Sequence, residues 1–206
     1  MKKAFSIILT LCFILSLSVN ALAVETNDEV TPKGYWEYWK IDDKKKNYDE
    51  EPIGNWELVY VGTPAKKPGE TDTVTASLTR SAEVTGSIQV PVKQIAASVN
   101  VTLGVGYTVG GSRTSAPLDV GEYVKGYARP VASIHRVTQR KYIHMDGEDI
   151  PTSEIAYAYV KEPTAVTIRI EYYKSTKSLD NRSLNDKPHK VETFIIKNGI
   201  CEKLYE

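Results

Sequence analysis

Cysteine is nearly absent. The 206-residue chain carries two, alongside three histidines and two methionines. That excludes a disulfide-built scaffold and a structural zinc cluster, which need several pairing or ligating residues at set spacings. Net charge is missing too: 26 basic side chains meet 26 acidic ones. The chain therefore lacks the positive field by which sequence-independent nucleic-acid binders reach phosphate, and no nucleic-acid partner is expected. His135, His144 and His189 stand far apart, and the acids at Asp146, Glu148 and Asp149 lack the repeated spacing of a calcium loop. There is no G-x-S-x-G elbow. The expected catalytic residues, cofactor sites and metal sites are therefore none, and the chain is expected not to be an enzyme; an uncatalogued hydrolase stays as a third class. No stretch shows helical period with both caps. What is plentiful is aliphatic and aromatic side chain, 41% of residues, which excludes wholesale disorder.

The one long apolar run is N-terminal and reads as an export signal. Lys2 and Lys3 give a positive start. Residues 4–19 are apolar apart from small hydroxyl residues and Cys12, and Ala21-Leu22-Ala23 is the small-x-small pattern that a signal peptidase cuts. The run is shorter than the roughly 20 residues that span a bilayer. Cleavage after Ala23 is expected, leaving residues 24–206 as a single secreted β domain with room for a small aromatic-rich lobe at 34–64. Loss of Lys2 and Lys3 leaves 24 bases against 26 acids, and loss of Cys12 leaves Cys201 as the lone thiol. Beside Ile200 in a C-terminal strand, Cys201 is expected to be buried. Asn100-Val101-Thr102 and Asn181-Arg182-Ser183 match the N-glycosylation triplet, which is common by chance.

After a polar lead at 24–33 comes GYWEYWKI at 34–41, read as a strand, then the charged segment 42–51, read as a solvated loop, and a second strand at 55–61. The clearest signal follows. Val74, Ala76, Leu78, Ala82, Val84, Ile88, Val90 and Val92 fall on even positions, interrupted only by Arg80 and Gly86, with Thr, Ser, Glu and Gln between them. The parity then switches near 91–94. Ile95, Ala97, Val99, Val101, Leu103, Val105, Tyr107 and Val109 carry the apolar side until Gly110-Gly111 ends the run. Period two means extended chain with one apolar and one hydroxyl face, and a parity switch marks a bulge, corner or turn. Each segment is either one long strand or two strands of adjoining sheets joined by a bend, with Gly86 and Pro91 as bend positions. Further strands are expected at 122–134, 137–145, 157–161, 165–173, 191–197 and 200–205. Turns are expected at Asp146-Gly147 and Asn198-Gly199, the latter a strong hairpin signal, and a polar loop at 174–190. The fold class is all-β, an elongated antiparallel sheet or sandwich with long Ser/Thr-rich strands.

Segments 73–92 and 95–109 resemble the strands of aerolysin and of the epsilon-toxin/Mtx-like β-pore-forming proteins: long, Ser/Thr on one side, small aliphatics on the other. The resemblance covers residues 71–136, about a third of the chain. The chain also looks similar to small secreted β proteins of Gram-positive bacteria. The resemblance implies an elongated β fold that oligomerises on a membrane. The two segments are then expected to pair as antiparallel neighbours, with Val74, Leu78, Val84, Ile88, Val99, Val101, Leu103 and Val105 as the membrane-active apolar row. A membrane-spanning strand needs about 9–11 alternating residues, but so does any antiparallel strand with one buried face. The alternative is therefore a cell-wall or carbohydrate-binding β-sandwich. Its surface-binding aromatics would be Tyr35, Trp36, Tyr38, Trp39 and Trp56, since such rings offer an apolar face with a polar tip. Both readings place a non-enzymatic protein at a cell surface, with a membrane or a surface glycan as partner and a homo-oligomer as its assembly.

Overall fold

The computed structural model describes residues 34–175 and 187–204. The expected export signal, the lead at 24–33, most of the expected loop at 174–190 and the Asn181 triplet lie outside the described residues. The elements are β1 (Trp36–Pro52), β2 (Glu57–Val61), β3 (Thr73–Ser81), β4 (Glu83–Gly86), α1 (Val92–Ser98), β5 (Gly106–Thr114), β6 (Glu122–Met145), β7 (Glu148–Lys174), β8 (Lys190–Lys197) and β9 (Ile200–Leu204). The fold is all-β and antiparallel, as the alternating pattern predicts.

The spine is the hairpin β6–β7, whose strands have 24 and 27 residues. At about 3.3 Å per residue each reaches roughly 80 Å along its length. The hairpin turns at Asp146-Gly147, both with positive φ (53° and 86°), where the acidic turn is expected. Neighbours cover each flank in turn. β2 and β1 pair successive parts of β6, β8 and β4 pair successive parts of β7, and β9 closes the sheet beyond β8. β3 and β5 pair only with each other, forming a two-stranded ribbon that packs on the large sheet.

The strands read as separate pieces at 122–134 and 137–145, and at 157–161 and 165–173, are in fact continuous. Two prolines within β7 sit beside irregularities. The register shift opposite Val131/Ala132 falls next to Pro163, and the one between Arg140 and Tyr142 falls next to Pro151. A bulge lets a strand keep a residue that cannot donate to the ladder. The charged segment 42–51 is likewise strand, not loop: β1 runs through it, pairing Asp43 with Thr138 and Glu50 with Ser133. It is an edge strand, so charge along it is compatible with pairing on one side and keeps a second chain from adding to the other.

The alternating segments split as the bend reading allows. β3 belongs to the ribbon, and after Ala82 the chain enters the large sheet as β4, ending at Gly86 (φ 93°). A Cβ there would lie 2.6 Å from the Tyr157 carbonyl oxygen, so only glycine fits. Residues 87–90 are then held by Gln139, itself fully buried. Its Oε1 accepts the N–H groups of Gln89 (2.8 Å) and Val90 (2.9 Å), and its Nε2 donates to the Ser87 carbonyl (2.8 Å).

The expectation of a strand over 95–109 is corrected here. Pro91 (φ −53°) leads into the seven-residue helix α1. Ile95, Ala96 and Val99 are buried, the face of a 3.6-residue period, whereas Ala97 is exposed. The helix ends at Asn100 in the left-handed region (φ 65°), and the carbonyls of Ala96 and Ala97 accept the following N–H groups. Strand resumes at Gly106 and continues through Gly110-Gly111 to Thr114. The glycine pair does not end the strand, because it is needed for packing. A Cβ on Gly110 would lie 2.6 Å from the Ala76 carbonyl oxygen, and one on Gly111 would lie 2.7 Å from Ile196 Cγ2.

Two apolar clusters result. The first seats the ribbon, with Val74, Ala76, Leu78 and Val109 against Val124, Ala128, Val166, Ile168, Ile170, Phe194 and Ile196. The second joins Ile95, Val99 and Val101 to Val137, Ala158 and Val160, with Trp39, Ile41 and Val84 at its rim. Burial of each large aliphatic contributes about 1.5–3 kcal/mol. Cys201 is exposed on β9, contrary to the expected burial, because β9 is an edge strand whose residues are all exposed.

Candidate functional site

The ribbon has two chemically distinct faces. Its in-register pairs run from Thr73↔Thr114 to Ser81↔Gly106. Outward, hydroxyls meet across the strands: Thr73 with Thr114 (3.0 Å), Thr75 with Ser112 (3.0 Å) and Thr79 with Thr108 (2.9 Å). Cross-strand hydroxyl pairs of this kind stabilise a sheet modestly. Inward, Val74, Ala76 and Leu78 alternate with them and are buried. The Arg113 guanidinium lies 4.4 Å over the Phe194 ring, covering the cluster from β5.

The open end of the ribbon is pinned to the sheet by two tyrosines. Tyr60 Oη donates to Asp72 Oδ1 (2.8 Å), just before β3. Burial and this bond both raise the Tyr60 pKa. Tyr172 Oη accepts the Ala116 N–H (2.9 Å), just after β5, and donates to Glu192 Oε2 (2.5 Å). Burial first, then the bond to Glu192, pushes the Tyr172 hydroxyl far above its ordinary value. At the other end, β3 and β5 lead into the 82–105 stretch that carries β4 and α1.

The expected membrane-active residues are divided between the two clusters. Val74 and Leu78 lie in the first, Val99 and Val101 in the second, and Val84 and Leu103 pack partly buried against the second. Ile88 and Val105 are exposed. The pairing of the two alternating segments holds for 73–81 with 106–114, not for the intervening residues. Sequence reasoning stopped at Val109 and so missed Ser112 and Thr114. The signal was present on one side only: hydroxyls recur at Thr108, Ser112 and Thr114, while the other side passes from Val109 to Gly111 and Arg113.

The aromatics also separate. Tyr35 and Trp36 are exposed near the hairpin turn. Trp36 stacks on His144 (centroids 3.8 Å), and Tyr38 stacks on Tyr142 (5.9 Å). His144 Nδ1 lies 2.8 Å from Asp149 Oδ1. That bond, with one from Tyr38, holds the Asp149 carboxyl below its usual range, and the Tyr38 hydroxyl is in turn pushed up to about 12 by Asp149. Trp39 turns the other way, into the second cluster. Trp56 is half-buried under two guanidiniums, Arg129 at 4.6 Å and Arg169 at 4.9 Å. Among the described residues no group of three or more His, Cys, Asp or Glu is placed to hold a metal ion, and no helix is long and apolar enough to cross a membrane.

No family model matches this chain, and no curated protein matches it. Chains of solved structures do match. One is a chain of the crystal structure of the Cry23Aa1 and Cry37Aa1 binary protein complex, with a TM-score of 0.31 and 12% identity over 80% of this chain and 89% of that chain.

Proposed function

We propose that this is a secreted, non-enzymatic β protein that acts at a cell surface by releasing the β3–β5 ribbon from the large sheet into a membrane. The observation that carries the reading is the ribbon itself. It comprises two antiparallel strands of nine residues each, with hydroxyls on one face and, between Arg80 and Arg113 at its two ends, Val74, Ala76, Leu78 and Val109 on the other, and it is seated on the sheet through that aliphatic side. Nine residues is the short end of what a spanning strand needs. The residues that here form β4 and α1 continue the alternation, so the paired strands have sequence into which they can lengthen. In a membrane the apolar face would exchange the first cluster for lipid, and the Thr/Ser face would line water. An open two-stranded edge is not tolerated in hydrocarbon, so insertion requires several copies closing a barrel, which makes the chain a homo-oligomer at the membrane. The N-terminal export signal supplies the route to the surface.

The test is a reversible lock. A Cβ built at Gly111 stands 3.2 Å from Ile196 Cβ, close to the roughly 3.5–4.5 Å of a disulfide. Gly111→Cys with Ile196→Cys, in a Cys201→Ser background, ties the ribbon to β8. Dye release from phosphatidylcholine–cholesterol vesicles and permeabilisation of whole cells should be absent for the oxidised protein and restored by reductant. Equal release by the oxidised and reduced forms, or silence of the wild type on vesicles and cells alike, overturns the proposal.

A further inference from the structure

We propose that the groove between the β1 bulge and β4 is a binding site for a neutral oligosaccharide, reading pyranose rings with tyrosine faces and their hydroxyls with a mixed-charge rim. The groove lies on the face of the sheet opposite the second apolar cluster, since Tyr159 and Lys161 alternate with Ala158 and Val160 along β7. It consists of two cavities, of about 250 and 320 Å³, that share Glu51 and Lys161. Together they fall within the roughly 300–1,000 Å³ typical of small-ligand sites.

The backbone is distorted to build it. Lys45 pairs with Arg136 and Asp49 with Ile134, so three residues of β1 oppose one of β6. At the centre of this bulge Asn47 has φ 49°, a conformation that costs energy in a non-glycine residue and persists only where its surroundings hold it. The residue that holds it is buried: the Asn47 N–H donates to Nδ1 of His135 (3.0 Å), and His135 Nε2 lies 3.0 Å from Glu162 Oε2. Bulges re-aim side chains. This one brings Tyr48 within 6.4 Å of Tyr159, centroid to centroid, with the rings tilted by 44°. The Arg136 guanidinium stacks against Tyr48 (4.8 Å) and Tyr157 (5.4 Å), stiffening that wall.

The lining dictates the ligand class. Tyrosine faces take up C–H surface, while the rim presents carboxylates at Asp49 and Glu51, the Lys161 ammonium and the Thr85 hydroxyl. Donors and acceptors are both present: with Arg80 and Glu83 from the second cavity the lining carries three carboxylates and two cations, Lys161 being paired to Glu51. A purely apolar ligand would desolvate these groups without bonding any of them, and an anion would meet the excess carboxylate of Asp49, Glu51 and Glu83. A sugar ring has the required combination, with C–H groups on its faces and neutral donor–acceptor hydroxyls around its rim. Two cavities joined at one ion pair suit more than one ring. This names the surface partner of the reading above and depends on it only for a cell-surface location; binding is measured on protein in solution, so insertion can fail while binding stands.

The experiment applies the whole chain to an array of neutral and sialylated oligosaccharides and titrates the strongest neutral one calorimetrically. Tyr48→Ala should weaken binding at least about tenfold, while Tyr48→Phe, which keeps the ring, and Trp36→Ala, distant on β1, should not. In an NMR titration the Tyr48 and Tyr159 resonances should shift first, a readout that needs no variant to fold. The proposal is overturned if no neutral glycan binds, if binding is confined to sialylated ones, or if Trp36→Ala rather than Tyr48→Ala abolishes it.

Discussion

The seating of the ribbon can be tested across a contact that joins residues distant in sequence. Gly126 of β6 lies directly under Val74 of β3: a Cβ added at Gly126 would overlap Val74 Cγ1 and stand 2.8 Å from Cγ2. Val74 is fully buried, so neither group can turn away. Gly126→Ala alone overpacks the site and should cost about 1–3 kcal/mol. Val74→Ala alone removes two methyl groups, about 0.8 kcal/mol each in transfer, and with the cavity left behind should cost about 2 kcal/mol. In the double variant the new methyl occupies the space the valine gave up. The net change is one carbon, and the cost should fall to about 1 kcal/mol. Independent sites would add to about 4 kcal/mol, so the coupling is about 3 kcal/mol, at the top of the range for residues in contact. Urea unfolding followed by tryptophan fluorescence measures all four proteins, with an unchanged denaturant slope as the control for two-state behaviour. Additivity within about 0.5 kcal/mol would mean that β3 does not sit on β6 in this register, and the proposed release of the ribbon would lose its starting state.

Two further outcomes follow from side chains outside that contact. Burial alone would raise the Glu192 carboxyl, but the bonds from Lys203 and Tyr172 outweigh it and hold it below its ordinary 4.5. Its stabilisation is therefore complete above about pH 4.5 and lost as pH falls through the lower folded value; Glu192→Gln should flatten the acid side of the stability–pH curve, and parallel curves for the two proteins would refute this. Cys201 is exposed, so a water-soluble thiol reagent should modify it without denaturant at the rate of a free thiol; protection would mean that β9 is not an open edge.

How much of this was legible depended on whether a residue pattern had one reading or two. Asp146-Gly147 and Asn198-Gly199 are turns in sequence and structure alike, because a left-handed pair between alternating segments has few other uses. The face assignment of Val74, Ala76 and Leu78 was legible for the same reason: three buried positions spaced by two, with Thr or Ser between, fit only a half-buried strand. The charged run of β1 was not. Its pairing is decided by β6, some 90 residues away, and local charge at an edge strand looks like a loop. Nor was the length of β7, since Pro151 and Pro163 are breakers locally and are absorbed only by bulges that the partner strand defines. The groove was illegible for a related reason. Tyr48 is one aromatic among several in the sequence, and only the bulge at Asn47, fixed by His135, turns it toward Tyr159.

The stretch from 82 to 105 had two readings, and that ambiguity bears on function. Ile95 and Val99 satisfy a strand period and a helix period equally. The choice falls on Ala96 against Ala97, two residues of the same kind, and so on the surroundings. Pro91 favours the first turn of a helix and Asn100 its left-handed end, yet only seven residues lie between them. A helix that short has little stability of its own and is held by the burial of Ile95 and Val99 against Val137 of β6 and Ala158 and Val160 of β7. Its sequence nevertheless keeps the alternation of β3 and β5 on either side. Natural sequences usually agree with their fold at every level, and a local conflict is expected where function has claimed the segment. If the apolar partners on the large sheet were lost, nothing local would keep 92–98 helical, and the alternation would favour extension of the ribbon. Substituting Ala97, which faces solvent in the helix but lies on the apolar side of the extended pattern, separates the two states. Ala97→Lys should leave the stability of the soluble fold within about 0.5 kcal/mol while abolishing vesicle dye release; release at the wild-type rate would confine the membrane-active segment to β3 and β5 alone.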